Sequence, residues 1–298
     1  MTARPDLPVD DLAALREGRA WVDRTDRGFV SIAGPDTFSF LQALVSADLD
    51  PLADGDAVHS LLLAPQGKLD VDFRLLRVNA EEAWLDCAPG FAAQLAASLT
   101  RFRIRVKAEI VDRSGELAMV SHIGANDDGT DLVDGVPDSM HRIDTAWGFD
   151  LLGPRDRIEA ALSTVTPVVA PVAFEAWRIE QAIPVQPADI DDTTIPQEAF
   201  LEQDAVSFTK GCFIGQELVC RIDSRGHVNR FLRLVADIEG DWPPVGAEIV
   251  VDGKVVGALT SVAPAELPTG ALGYVRREVE PPSAVELRWD GGTARAVI

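Results

Sequence analysis

From Asn229 to the C-terminus the sequence consists of short apolar runs separated by turn residues, and this texture restricts the fold more than any other feature. The runs are 231–238, 248–251, 254–263, 271–276 and 285–298. Asp252-Gly253 and Asp290-Gly-Gly292 are turn sequences that let two strands fold back on each other. A segment of this kind buries its apolar residues by packing its strands into a closed or two-layered sheet, so residues 227–298 are expected to form a small all-β barrel or sandwich.

The preceding residues follow a different pattern. Two β-rich runs, 57–64 and 68–78, flank Pro65-Gln-Gly67, which reads as a hairpin loop. A strand at 84–88, a helix at 91–102 and a strand at 106–111 complete a sheet with a helix on one face. Upstream, residues 1–20 read as an acidic lead and a short helix carrying Leu12 and Leu15, and 28–34 as a strand. Phe38, Leu41, Leu44 and Val45 recur at helical spacing through Ala47. Further on come a strand at 117–123, an acidic Gly-rich exposed loop at 125–138 and an extended run at 141–152. Helices at 153–165 and 172–182, an irregular loop at 184–197 and a short helix within 211–222 follow. The fold class is α+β in three units: residues 1–48 with 113–226, an inserted unit 49–112, and the barrel 227–298.

Composition removes several functions. Acidic side chains number 48 against 27 basic ones, a net charge of −21, and a field of that sign repels phosphate backbones. No window has the roughly 18 uncharged apolar residues that a membrane helix requires. The first residues lack the basic start and apolar run of a secretion signal. A cytoplasmic protein without direct nucleic-acid or membrane partners is expected. The three cysteines, Cys87, Cys212 and Cys220, are too few and too scattered for a disulfide framework. His59, His122, His141 and His227 are equally dispersed, so no metal site is expected.

One segment concentrates chemistry. In Lys210-Gly-Cys-Phe-Ile-Gly-Gln-Glu217, Gly211 and Gly215 flank Cys212, and Gly215 is placed to open a helix. From Lys210 to Arg233 there are five cations and two anions, a local positive excess in an acidic chain. Cations and a helix start favour a thiolate, so Cys212 with Lys210 is the candidate reactive pair. The residues alone leave a second reading open, a packed cysteine beside a solvated basic face. Cys87, in an alternating apolar strand, and Cys220, within the helix, read as structural.

The segment resembles the K-G-C-[FY]-x-G-Q-E signature of the YgfZ-type folate-binding family, with Gly211, Phe213, Gly215, Gln216 and Glu217 at the motif positions. Residues 27–48, Ala64-Pro-Gln-Gly-Lys68, Ile195-Pro-Gln-Glu198, Val256-Gly-Ala-Leu-Thr-Ser261 and Leu272-Gly-Tyr-Val-Arg276 are similar to other parts of that family. The resemblance implies a three-domain ring of two ferredoxin-like α+β domains and a small β-barrel. It implies tetrahydrofolate or a derivative as cofactor, near the central channel. It further implies a role in assembly or repair of iron–sulfur clusters, with client enzymes, including tRNA-modifying ones, or assembly proteins as partners. If folate binds as the resemblance implies, Gln66, Asp72 and Asp150 are expected near its pterin or linker, and the basic Lys210, Arg221 and Arg225 are the candidates for its acidic tail. The related aminomethyltransferases carry paired aspartates where Val71 and Asp72 stand here, a pterin-binding Glu at Asp150 and a pterin-binding Arg at Phe174. The alternative is a tetrahydrofolate-dependent aminomethyltransferase or methyltransferase in which Asp72 handles the proton. A non-catalytic scaffold is a third reading.

Overall fold

Leu69, Val71, Phe73 and Leu75 alternate with Asp70, Asp72 and Arg74, and this period of two decides which way the central strand faces. A computed structural model, which describes residues 8–124 and 139–298, buries the apolar set and leaves the polar set partly exposed, with Arg74 reaching a second sheet. The N-terminal lead and the 125–138 segment, expected as an exposed loop, lie outside the described residues.

The chain begins α1 (Pro8–Arg16), β1 (Arg19–Asp23), β2 (Gly28–Ala33) and α2 (Thr37–Gln42). β3 (Ala57–Leu63), β4 (Leu69–Asn79), β5 (Glu82–Cys87), α3 (Ala92–Phe102) and β6 (Glu109–Asp112) come next. β7 (Leu117–Gly124), β8 (His141–Thr145), β9 (Gly148–Pro154), α4 (Arg155–Leu162), β10 (Val168–Val169) and α5 (Pro171–Glu180) follow. A 3-10 turn (Pro196–Glu198) leads to α6 (Glu202–Ala205) and α7 (Gln216–Arg225). The last part is all β: β11 (Arg230–Gly240), β12 (Glu248–Val251), β13 (Lys254–Val262), β14 (Ala271–Arg276), β15 (Ala284–Trp289) and β16 (Gly292–Val297).

These strands make two five-stranded sheets, β10-β1-β7-β9-β8 and β3-β4-β5-β2-β6, and a closed barrel β11-β14-β13-β12-β15-β16. The barrel carries out the expectation from the C-terminal texture: a closed sheet has no open edge. In the second sheet, Val30, Ile32, Val71, Phe73 and Leu85 pack with Leu95 and Leu99 of α3. Each such leucine contributes about 1.5–3 kcal/mol on burial. The two sheets meet through Phe29 and Leu76 on one side and Leu117, Met119 and Leu152 on the other. One core joins all three units, with Val22, Leu63, Trp177, Leu232 and Leu272 in a single cluster.

The structure departs from the expectations in several places. β2 pairs with β5 and β6 and not with β7, the strand beside β1. Residues 28–48 therefore belong with the second sheet, whose core holds Phe40, Leu41, Leu44 and Val45. β1 itself was not anticipated; Ala20, Trp21 and Val22 are buried between β7 and β10. The extended run 141–152 is a hairpin, β8 and β9, and the helix expected through Ala47 stops at Gln42.

Two glycines far apart in sequence meet where the β3–β4 hairpin touches α7. Gly215, with φ 79°, caps α7, and a Cβ on it would lie 2.6 Å from the Ala64 carbonyl oxygen. Gly67, with φ 78°, has the Gly215 carbonyl oxygen 2.9 Å and the Leu218 Cβ 2.7 Å from where its own Cβ would be. A side chain at either position meets left-handed strain and a backbone clash together. Gly215→Ala and Gly67→Ala are each expected to lower stability by about 2–4 kcal/mol, read as a fall in thermal midpoint, whereas Gly211→Ala, whose Cβ enters open space, is expected to change it little.

Candidate functional site

A cavity of about 520 Å³ lies between the two sheets and α5. His59, Asp72, Ser121, Asp150, Phe174 and Trp177 line it, together with the loop that follows α5. A neighbouring recess of about 430 Å³ shares Arg24, Arg27, Phe174 and Gln186 with it. Phe174 and Trp177 stack with ring centroids 5.8 Å apart, one helical turn separating them on α5. Trp147 from the β8–β9 turn meets Trp177 edge-on at 5.5 Å. The result is an aromatic wall suited to a flat ring.

A run of alternating charges, of which Arg27 and Asp150 line the cavity, connects the two sheets. Asp86, with 3% of its side chain exposed, takes Arg27 Nη2 at 2.6 Å and Arg74 Nε at 2.9 Å. Arg74 Nη1 then reaches Asp150 Oδ2 at 2.6 Å, and so ties β4 to β9 across the two sheets. Burial favours the neutral form of Asp86, but Arg74 and Arg27 outweigh it and hold the carboxyl below its ordinary range. Only one Asp150 oxygen is engaged by Arg74. A second buried set fixes the barrel to this scaffold: Arg178 donates to Asp189 at 2.8 Å, and the Thr260 and Ser261 hydroxyls donate to the same carboxylate at 2.6 and 2.7 Å.

Arg24 differs from these arginines. Its guanidinium sits 4.9 Å from the centre of the Phe174 ring and forms no ion pair with a described carboxylate. Burial, reinforced by Arg27, pushes its pKa down to about 10, so it stays cationic at neutral pH. The Ser121 hydroxyl, buried at 3% exposure, has no hydrogen-bond partner among the described residues. A buried polar group left alone is costly, so this hydroxyl and the unpaired cation are the cavity groups with hydrogen-bonding capacity left to offer.

His59 Nε2 lies 2.5 Å from Asp72 Oδ1. Burial works against the imidazolium, but the charge and hydrogen bond of Asp72 prevail, and the His59 pKa is raised. The Gln186 amide oxygen accepts the Asp72 backbone N–H at 3.0 Å, so the loop after α5 also holds this strand.

The site residues expected from sequence separate into two places. Asp72 and Asp150 come together in the cavity; Gln66, Lys210, Cys212, Arg221 and Arg225 do not line it. Gln66 is exposed at the hairpin tip, and Arg221 and Arg225 are exposed on α7. Lys210 does not serve as a free cation beside the thiol: its ammonium donates to the Val45 and Ala47 carbonyls at 2.8 and 2.6 Å. Burial lowers its pKa to about 8. Phe213 is buried, and the Gln216 amide oxygen accepts the Phe213 N–H at 3.2 Å. Lys210, Phe213, Gly215 and Gln216 thus have structural work, whereas Gly211, Cys212 and Glu217 are exposed. Cys87 is fully buried, its thiol pushed up to about 12 by burial. Cys220 is half-buried, less enclosed than the core position expected of it. Among the described residues no group of three or more His, Cys, Asp or Glu is arranged to hold a metal ion, and no helix is long and apolar enough to cross a membrane.

Sequence reasoning missed Arg24, Arg27, His59, Arg74 and Ser121. His59 carried a readable signal: in the β3–β4 register Leu61 faces Asp72 and His59 faces Arg74, so His59 and Asp72 are diagonal neighbours on one face. Arg24, Arg27 and Ser121 had none, because their neighbours come from the other sheet.

The sheets, the barrel and the cavity between them define the fold of the glycine-cleavage T proteins. The solved glycine cleavage system aminomethyltransferase T from Bartonella henselae superposes with a TM-score of 0.81 over 97% of this chain and 88% of that one, at 19% identity. In sequence the chain is similar to the tRNA-modifying proteins YgfZ. The Edwardsiella ictaluri protein is 29% identical over 68% of this chain and 66% of its own length. The Klebsiella pneumoniae protein is 25% identical over 99% and 97%. No family model matches the chain. It is YgfZ-like in sequence and aminomethyltransferase-like in fold.

The raised His59 pKa has a consequence for pH. The His59–Asp72 attraction stabilises the fold fully below about pH 6.5, the ordinary histidine value, and is lost as pH rises through the raised native value. In Asp72→Asn burial dominates, and the His59 ring-proton titration followed by NMR is expected to move from above 6.5 to below it. Arg74→Met, which strands the Asp150 carboxylate and leaves Asp86 with Arg27 alone, is expected to cost about 3–5 kcal/mol in denaturant unfolding.

Proposed function

We propose that this protein binds tetrahydrofolate or a derivative in the cavity between its sheets and acts in the assembly or repair of iron–sulfur clusters in client enzymes, tRNA-modifying ones among them. The observation that carries the folate part is the composition of the cavity: the Phe174–Trp177 wall, the unpaired Arg24, the carboxylates Asp72 and Asp150, and the partnerless Ser121 hydroxyl. Its volume of about 520 Å³ lies within the usual range for small-molecule sites. A pterin is flat and carries N–H donors on one edge, which suits an aromatic wall facing carboxylates. The glutamyl end of folate is anionic, which suits Arg24. Bound tetrahydrofolate would supply one-carbon chemistry at its N5 and N10 atoms. The protein's share is to orient the ring, and to hold a proton at the His59–Asp72 pair.

The cluster part draws on the likeness to the proteins named for tRNA modification and on the exposure of Cys212. Since Cys212 lies outside the cavity, its thiol is available to a partner, a client enzyme or assembly protein, and not to the folate. On this reading the protein works in the cytoplasm and influences tRNA through its clients without gripping RNA. The His59–Asp72 pair favours a second reading, a tetrahydrofolate-dependent aminomethyl- or methyltransferase, because it is a proton-handling group in the cavity wall.

Calorimetric titration with tetrahydrofolate is expected to give micromolar binding, about −8 kcal/mol, weakened about tenfold by Arg24→Met. Absence of heat at millimolar folate refutes the reading. Product analysis with a glycine-derived aminomethyl donor separates the transferase from the cluster factor. In a deletion strain, Cys212→Ala is expected to fold normally yet fail to restore a cluster-dependent enzyme, while Cys87→Ala and Cys220→Ala restore it; full complementation by Cys212→Ala removes the thiol from the account.

A further inference from the structure

The loop that leaves α3 reads Arg101-Phe-Arg-Ile-Arg-Val-Lys107, four cations alternating with three apolar residues, and no carboxylate stands between Ser98 and Ala108. Twelve arginines elsewhere among the described residues hold a carboxylate, as expected in so acidic a chain. Arg101, Arg103, Arg105 and Lys107 hold none; Arg101 donates to the Ser98 hydroxyl and Arg103 to the Ala108 carbonyl. Phe102 and Ile104 between them are 42% and 77% exposed, although both are apolar. Arg105 is in a left-handed conformation, φ 60°, an unusual backbone for a side chain of this size.

Phe102 also lines a groove of about 320 Å³, with Pro65 of the hairpin and Phe213, Ile214, Gln216 and Glu217 of the signature segment. This groove is separate from the cavity between the sheets, with which it shares no residue. Its walls are mainly apolar, Glu217 is the carboxylate in its lining, and the exposed Cys212 immediately precedes the buried Phe213. An apolar groove beside four unpaired cations matches one kind of occupant: an acidic segment carrying an apolar anchor.

We infer that the 101–107 loop and the groove it shares with the signature segment form a docking surface for an acidic, apolar-anchored segment of a partner protein, which is thereby held beside Cys212. A protein segment fits better than RNA. The exposed apolar groups are aliphatic as much as aromatic, whereas single-stranded RNA is recognised by successive aromatic platforms. The inference is independent of the folate reading, because the loop contributes nothing to the folate cavity.

The test is fluorescence anisotropy on the full chain with a short fluorescein-labelled peptide, glutamates on both sides of a central Leu-Phe pair, and with a labelled oligouridylate of equal length. The wild-type protein is expected to bind the peptide saturably, and more weakly as salt rises. Ile104→Ser, and Arg103→Glu with Arg105→Glu, are each expected to weaken binding about tenfold. Thermal unfolding and tetrahydrofolate titration are expected to be unchanged in these variants. No saturable peptide binding, or binding the variants do not affect, overturns the inference. Tighter binding of the oligouridylate, lost in the same variants, overturns it in favour of a nucleic-acid contact. Peptide binding that persists in a protein without affinity for folate leaves this surface standing and removes the folate reading alone.

Discussion

The Arg74 guanidinium is the interaction on which the arrangement depends. It bridges Asp86 within its own sheet and Asp150 in the other, with 17% of its side chain exposed. Charges this far from water are tolerated only when each is paired and hydrogen-bonded. Arg27 on the far side of Asp86 completes the balance. Arg74 thereby ties the two sheets together, and the space between them is polar on the β3–β4 side because Asp72 and His59 line it. The polar face of an antiparallel sheet ordinarily faces solvent; here part of it lines a cavity.

That cavity and the signature segment are two distinct places, and the separation changes how the signature is understood. Most of its residues hold the structure together. Lys210 ties two carbonyls after α2, and Gly215 lets the hairpin tip approach α7. Gln197, from the 3-10 turn, donates to the Val219 carbonyl at 2.9 Å and anchors the same helix. What remains without structural work is Gly211, Cys212 and Glu217, on the outside. On the proposed function, the cavity enclosed by the sheets takes the small molecule and the exposed Cys212 thiol is left to face a partner.

The sequence made the periodic parts of this architecture readable and left the assembled parts obscure. The barrel, the β3–β4 hairpin and α3 follow from alternation, turn residues and helical spacing, all of which act over a few residues. β1 escaped because three buried residues carry too little pattern. Asp72 and Asp150 were identified through a resemblance, and both do line the cavity. Lys210, Arg221 and Arg225 were assigned to folate because charge is visible in sequence and direction is not. Arg24, the unpaired cation inside the cavity, lies in a turn with no motif, and only the crossing of β1 into the first sheet brings it there.

Hydrogen–deuterium exchange with and without tetrahydrofolate tests the central claim, that the ligand site is the cavity between the sheets and not the signature helix. The account predicts slowed exchange in residues 145–150 and 182–201, which contribute to the cavity from two separate parts of the chain, with α7 unchanged. Protection confined to residues 210–225, with the cavity segments unaffected, would contradict it.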